Sequence, residues 1–155
     1  MLLKQISDLL KHREFISVAT SDLESNPNAA PKFFLKVEGH FIYLIDYSIG
    51  KTCRNLKDNP KVSLSFMDTE NLIGYQINGI AQIIETGLEF ERILKEMLER
   101  EISLSTKRII EGLSQGKKHS TFEVAISDKF IILKIEMKEL VELGHKGELR
   151  RETLC

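Results

Sequence analysis

Cysteine is scarce in this sequence of 155 residues, and tryptophan is absent. The two cysteines, Cys53 and Cys155, are far apart, and the four histidines show no ligand spacing such as H-x-x-x-H. These patterns argue against a disulfide framework and a metal motif. We expect two free thiols in a reducing compartment, with Cys53 a small buried helix residue rather than a redox centre.

Long apolar runs and an excess of one charge sign are also missing. Charged residues interrupt the opening MLLKQISDLLKHREF, so it does not resemble a signal peptide, and no run approaches the roughly 18 apolar residues of a membrane span. The 22 basic and 23 acidic side chains leave a formal net charge of -1. We therefore expect a cytoplasmic protein that binds neither nucleic acid nor membrane, in which any anion site is local.

The hydrophobic pattern predicts one mainly β domain, residues 1–155, with helical additions. Leucine and isoleucine at helical spacing between Leu2 and Leu10 predict an N-terminal amphipathic helix. Alternating and apolar stretches predict six strands: Phe15–Thr20, Asn28–Val37, His40–Asp46, Lys61–Met67, Ile73–Glu85 and Phe130–Met137. Short connections without a repeat favour an antiparallel barrel over a doubly wound parallel sheet.

A helical insertion is predicted at about residues 87–119, before the last strand. An apolar stripe indicates one helix from Leu88 to about Ile102, and a second helix is predicted over Thr106 to Leu113. Lys117, Lys118 and His119 then form a small basic cluster. This cluster is either a solvated loop or a contact for an anionic substrate or the phosphate of a nicotinamide partner.

The stretch SIGKTCRNL, residues 48–56, follows a strand and predicts a helix that begins near Ile49 with Ser48 as its N-cap. The first backbone N–H groups of a helix have no intrahelical partner, and together with the Lys51 ammonium and the Thr52 hydroxyl they suit a phosphate. A P-loop would need glycine five residues before Gly50, where Ile45 stands, so a nucleotide triphosphatase is excluded. The alternative is an ordinary capped helix start with a solvated lysine.

Three segments taken together resemble a known family: PNAAPKFFLKV, IYLIDYSIGKTCRNLKDNPKVSLSF and GYQINGIAQI. Their order is similar to that of the pyridoxamine 5'-phosphate oxidase-like split barrels that bind flavin mononucleotide (FMN), over about residues 10 to 90. The resemblance implies a six-stranded antiparallel split β-barrel with an N-terminal helix and a helical insertion. It also implies a homodimer with FMN in two clefts between the subunits.

The resemblance assigns a cofactor-binding role to nine residues. Lys51 and Thr52 match the pair that holds the FMN phosphate, and Lys36 matches a basic residue of the flavin-contacting strand. The others match backbone beside the ribityl chain and ring, or the strand end near the phosphate: Pro31, Lys32, Phe33, Asp46, Tyr47 and Ser48. Four aromatic side chains are candidates for walls of the flavin slot or for plain core: Phe33, Phe34, Tyr47 and Tyr75.

The C-terminal GHKGELRRETLC lacks the arginine-rich signature that the resemblance requires for oxidation of pyridoxamine phosphate. We therefore expect an FMN-dependent oxidoreductase of unassigned substrate rather than a pyridoxamine phosphate oxidase. A nicotinamide is a possible electron donor. The flavin supplies the chemistry in such enzymes, so no catalytic side chain is assigned. Two alternatives stay open: a flavin-binding or electron-carrier protein without turnover, and a split barrel that binds haem instead.

Overall fold

The computed structural model describes residues 1–115 and 129–155. The chain forms two compact units, Met1–Ile84 with Phe130–Cys155, and Glu85–Lys129. Within the described ranges, no helix combines the length and apolar character needed to cross a bilayer. The expectations of a single domain and of a cytoplasmic location stay predictions.

The first unit contains the strands and the two shorter helices of the described chain. Its elements, in chain order, are α1 (Leu2–Leu10), β1 (Phe15–Ser21), β2 (Pro27–Glu38), β3 (Phe41–Asp46), α2 (Lys51–Asp58), β4 (Lys61–Asp68), β5 (Ile73–Ile84), β6 (Ile131–Leu143) and β7 (Leu149–Thr153). The second unit contains the long helix α3 (Leu88–Ser114).

Six strands of the first unit close into an antiparallel barrel. The strand order is β3-β2-β1-β4-β5-β6, and β6 pairs back with β3, which closes the sheet. Neighbouring strands are antiparallel throughout. The prediction of a mainly β, six-stranded antiparallel barrel is confirmed.

Strand β6 continues past the predicted end at Met137, and β7 was not predicted. The extra length of β6 pairs with β7 between Glu139 and Leu143. Opposite Gly79 of β5, the register shifts by one residue, and a Cβ added there would lie 2.3 Å from the carbonyl oxygen of Glu136. Glycine is therefore required where the two backbones approach each other.

The barrel interior is a continuous apolar core. Alternate side chains of each strand point inward, as Val18, Leu64 and Ile77 do, and all three are fully buried. The apolar face of α1 joins the same core through Leu2, Ile6 and Leu10. The predicted N-terminal amphipathic helix is confirmed.

The helical insertion is one helix over the described residues, not two. Helix α3 runs without a break from Leu88 to Ser114, so the prediction of a separate helix over Thr106 to Leu113 was wrong. Ser103 and Ser105 lie between the two predicted helices without breaking α3, because serine in a helix interior costs only about 0.5 kcal/mol relative to alanine. The basic cluster predicted at residues 117–119 lies outside the described residues.

Candidate functional site

Helix α2 begins two residues later than predicted. Its first residue is Lys51 and its N-cap is Gly50, so the prediction of a start near Ile49 with Ser48 as the cap was wrong. The first intrahelical bond runs from the Arg54 amide to the Gly50 carbonyl over 3.2 Å. The amides of Lys51 and Thr52 therefore lie before the first intrahelical hydrogen bond, as the anion hypothesis requires.

Ser48 does not cap the helix because its side chain belongs to a cluster around Asp46. The Asp46 carboxylate oxygen Oδ1 accepts hydrogen bonds from the Lys32 ammonium (2.7 Å), the Ser48 hydroxyl (2.7 Å) and the Ser48 amide (3.0 Å). The Ile49 amide also donates to it, over 3.3 Å. Lys32 donates to the Ser48 hydroxyl as well, over 2.9 Å. We call Lys32, Asp46 and Ser48 the Asp46 cluster.

The Asp46 cluster is a buried ion pair at the end of β3. The side chains of Lys32 and Asp46 are 6% and 0% exposed. Burial by itself raises the pKa of Asp46, but the hydrogen bonds from Lys32 and Ser48 and the charge of Lys32 outweigh it, so the pKa lies below its ordinary value. Asp46 is therefore a carboxylate at neutral pH. Within the described residues its second oxygen, Oδ2, is buried without a hydrogen-bond partner.

The turn between the Asp46 cluster and α2 is strained at one residue. Ile49 has φ of 44°, in the left-handed region, where a β-branched side chain is disfavoured. The side chain of Ile49 is exposed, so burial of this side chain does not offset the strain. At the next residue, Gly50, an added Cβ would meet no atom within 4 Å. The space at the Cβ position of Gly50 is therefore open.

Lys51 and Thr52 point in different directions from this start. Lys51 is exposed, as is Arg54 one turn later, so two cations face outward near the open amides. The charge of Lys51 also acts on Asp22. The pKa of Asp22 is lowered first by hydrogen bonds from Asn26 and further by the charge of Lys51. Thr52 is 2% exposed, and its hydroxyl accepts a bond from the Asn28 side chain over 3.1 Å.

The inward face of α2 is anchored by polar contacts as well as by the apolar side chains of Cys53 and Leu56. Asn55 is buried and donates to the Thr20 hydroxyl over 3.1 Å. One turn later, Asn59 donates to the hydroxyl of Ser21 over 3.1 Å. These bonds tie α2 to the end of β1 and fix the direction in which its N-terminus points. Cys53 is buried, as the sequence predicts.

The four aromatic candidates separate into two groups. Phe34 and Tyr75 are almost fully buried in the barrel core. Phe33 is also buried, but it does not belong to that core cluster. Its ring centroid lies 6.5 Å from that of Tyr47 and 5.9 Å from that of Phe15. Phe33 follows Lys32 on β2, so its ring lies on the opposite face of the strand from the Lys32 side chain. Tyr47 follows Asp46 directly after the end of β3.

Two of the nine assigned residues, Lys36 and Pro31, lie in other surroundings than the Asp46 cluster and the helix start. Lys36 forms an ion pair with Glu38 and lies 5.0 Å from the ring centre of Tyr43. Pro31 is exposed on β2 opposite Ser17 of β1. The structure therefore groups Lys32, Asp46 and Ser48 in one cluster, Phe33 with Tyr47, and Lys51 with Thr52 at the helix start, while Lys36 belongs to a separate surface pair.

An open groove of about 490 Å³ lies along the outer face of β1, β4 and β5. Thr20 and Ser21 line it, and the same two residues hold Asn55 and Asn59, so the groove runs beside the second half of α2. None of the nine assigned residues lines this groove. The helix start therefore lies outside this groove.

Comparison with known proteins agrees with this architecture. Residues 2–129 match the family described as pyridoxamine 5'-phosphate oxidase. The chain belongs to that family. A protein of Methanocaldococcus jannaschii, named uncharacterized protein MJ0282, is 30% identical over 87 residues, which cover 54% of this chain and 57% of the relative. The matched region thus spans little more than half of that relative.

Solved structures with related folds bind different groups. An FMN-binding, pyridoxamine 5'-phosphate oxidase-related protein of Nostoc punctiforme has a TM-score of 0.56 at 12% identity, covering 99% of this chain and 93% of its own. A heme binding protein of Mycobacterium smegmatis has a TM-score of 0.66 at 15% identity, covering 99% of this chain and 58% of its own. At these identities the likeness shows the shared fold alone.

Asn28 and Arg54 are site residues that the sequence did not single out. Asn28 of β2 reaches Thr52 of α2 across 24 positions of sequence, and no local pattern predicts that contact. Arg54 could have been found, because it stands three positions after Lys51 and therefore on the same face of the predicted helix. Among residues 1–115 and 129–155, no group of three or more His, Cys, Asp or Glu is arranged to hold a metal ion.

Proposed function

We propose that this chain binds FMN with the phosphate at the start of α2, and that it acts as an FMN-dependent oxidoreductase. The observation that carries the proposal is the open start of α2 in a chain of this family. The amides of Lys51 and Thr52 precede the first intrahelical bond, the Cβ position of the neighbouring Gly50 is open, and the Lys51 side chain is exposed. A helix start of this kind favours a phosphate.

The charges around the helix start also fit a phosphate. A phosphate monoester carries roughly −1.5 to −2 charges at pH 7, and the exposed Lys51 and Arg54 can balance them. The nearby Asp46 carboxylate would repel the phosphate if it were alone. Lys32 pairs with it at 2.7 Å and leaves the Asp46 cluster without net charge.

Phe33 and Tyr47 are suited to contact the flavin ring. Their rings contact each other and do not belong to the core cluster that holds Phe34 and Tyr75. When bound, FMN supplies electron transfer, and the chain's residues have to hold and orient it. We retain Pro31 and Lys36 as proposed FMN contacts. In the single chain Lys36 pairs with Glu38, and Pro31 lies opposite Ser17.

A homodimer is part of the proposal. The outer face of β1 and β4 carries the small residues Ser17, Ala19 and Ser65, and the large apolar side chains of Phe15 and Met67 are exposed beside them. Exposed apolar side chains on a face of small residues allow close approach of another sheet. A second copy on this face would cover it and the groove beside α2.

Titration of the purified protein with FMN tests the phosphate site. Replacing Lys51 and Thr52 together by alanine removes the charge-assisted bond of Lys51 and the bond that the Thr52 hydroxyl can still donate while it accepts from Asn28. FMN binding should therefore weaken by about 2 to 4 kcal/mol. Lys57→Ala is the matched control, because Lys57 is an exposed lysine in the last turn of the same helix. Quenching of flavin fluorescence gives the dissociation constants.

Equal FMN affinity in the double variant and the wild type would overturn the placement of the phosphate. An equal loss in Lys57→Ala would show that general charge, not position, controls binding. Riboflavin, which lacks the phosphate, should bind the wild type and the double variant with the same affinity.

Turnover separates an enzyme from a flavin carrier. A reductase should reduce its bound FMN with NADH or NADPH faster than either donor reduces free FMN. Rates no faster than those of free FMN with both donors would favour an electron carrier or an enzyme with another donor. Anaerobic loss of flavin absorbance measures these rates.

Haem is the second candidate ligand, favoured by the fold shared with the heme binding protein of Mycobacterium smegmatis. The described histidines His12, His40 and His145 are exposed and lie in three different connections. Titration with haem distinguishes the candidates. A Soret band of a ligated haem, combined with no FMN binding, would replace the flavin proposal.

A further inference from the structure

We infer that Asp46 and Ser48 are positioning residues, which hold Ile49 in its left-handed conformation and thereby fix the helix-start amides in place for a phosphate. This inference rests on the proposed function. In this inference the Asp46 cluster controls the conformation of the turn and does not contact the cofactor.

The hydrogen bonds of Asp46 show how it would act. One carboxylate oxygen accepts bonds from the amides of Ser48 and Ile49, at 3.0 and 3.3 Å, and so bends the chain tightly between β3 and α2. The Ser48 hydroxyl donates to the same oxygen over 2.7 Å. The next residue after this turn is Gly50, which caps α2. The conformation of the turn thus sets where the first amides of α2 point.

Two unfavourable features meet in this turn. Ile49 adopts a conformation that is disfavoured for a β-branched residue, with φ of 44°. Asp46 is a fully buried carboxylate whose Oδ2 atom has no partner within the described residues. Packing alone does not require either feature, and such features tend to persist where a site needs a defined geometry.

A rescue experiment separates positioning from direct contact. Glycine adopts positive φ without strain. In an Ile49→Gly variant, the turn therefore no longer needs the hydrogen bonds of Asp46 and Ser48 to keep residue 49 in the left-handed conformation. We expect Ser48→Ala and Asp46→Asn each to raise the dissociation constant for FMN about tenfold, with riboflavin binding unchanged. Adding Ile49→Gly to either variant should return FMN affinity to within about threefold of the wild type.

The outcomes have distinct meanings. The inference fails if the two single variants bind FMN like the wild type, if Ile49→Gly does not restore affinity, or if riboflavin binding falls in parallel. Should Asp46→Asn not fold, the Ser48→Ala pair decides, because Ser48 is exposed. A wild type that binds FMN no more tightly than riboflavin overturns the proposed phosphate site itself. A urea midpoint for Ser48→Ala/Ile49→Gly at or above that of Ser48→Ala supports relief of strain at Ile49, and a lower midpoint contradicts it.

Discussion

The buried pair of Lys32 and Asp46 gives the sharpest prediction on stability. Both side chains are almost completely buried and their charged atoms are 2.7 Å apart. Removing one partner of a buried pair leaves an uncompensated charge and costs about 3 to 5 kcal/mol. We therefore expect Lys32→Met and Asp46→Asn each to lower the free energy of unfolding by that amount.

The double variant tests whether the loss comes from the pair. With both charges gone, neither is left buried alone, so the loss in Lys32→Met/Asp46→Asn should be smaller than the sum of the single losses by about 2 kcal/mol or more. Urea unfolding of the four proteins measures these free energies. The exposed pair of Glu136 and Lys138, 2.6 Å apart, is the matched control. Breaking it should cost less than about 1 kcal/mol.

The same pair predicts a dependence on pH. The pKa of Asp46 is lower in the folded chain than in the unfolded chain. Its contribution to stability is therefore complete above the unfolded carboxyl pKa of about 4 and is lost as the pH falls through the folded value. Asp46→Asn should flatten this acid limb. Single losses below about 1 kcal/mol, or strictly additive losses, would refute the assignment of a compensated buried pair.

Three further predictions concern β5, α2 and assembly. Gly79→Ala places a Cβ 2.3 Å from the Glu136 carbonyl oxygen and should lower the free energy of unfolding by about 1 to 3 kcal/mol or more. Gly74→Ala on the same strand is the comparison, because its Cβ would meet the Leu143 side chain at 3.4 Å. It should lower the free energy of unfolding less than Gly79→Ala in the same urea experiment. Asn55→Ala leaves the buried Thr20 hydroxyl without its donor and should cost about 1 to 3 kcal/mol, with equal stability as the contradicting result. Phe15→Glu/Met67→Glu should convert the proposed dimer to a monomer in light scattering, and a wild type that is already monomeric would remove the dimer from the account.

The barrel could be predicted from the sequence because its signals are local. Strands such as KVSLSFM alternate apolar and polar residues, and this period of two is visible without knowledge of the partner strands. Strand β7 was missed because LRRET has a charged, exposed pattern and receives its hydrogen bonds from β6. Nothing in those five residues alone distinguishes an edge strand from a loop.

The sequence predicts the start of α2 to within two residues but not the side-chain contacts around it. Gly-Lys-Thr after a strand marks a helix start, but the choice of the first residue depends on Ser48, whose side chain is taken by Asp46. Lys32 stands 14 positions before Asp46 and resembles any strand lysine until the fold buries it. A contact between residues two positions apart decided the helix start, whereas pairing across 14 positions decided the partner of Lys32.

A crystal structure of the protein with FMN tests the central claim most directly. The account predicts phosphate oxygens within about 2.7 to 3.2 Å of the Lys51 and Thr52 amides and of the Lys51 ammonium, with the ring beside Phe33 and Tyr47 and a second copy of the chain covering the cofactor. A phosphate bound elsewhere, with the start of α2 facing only solvent, would contradict it.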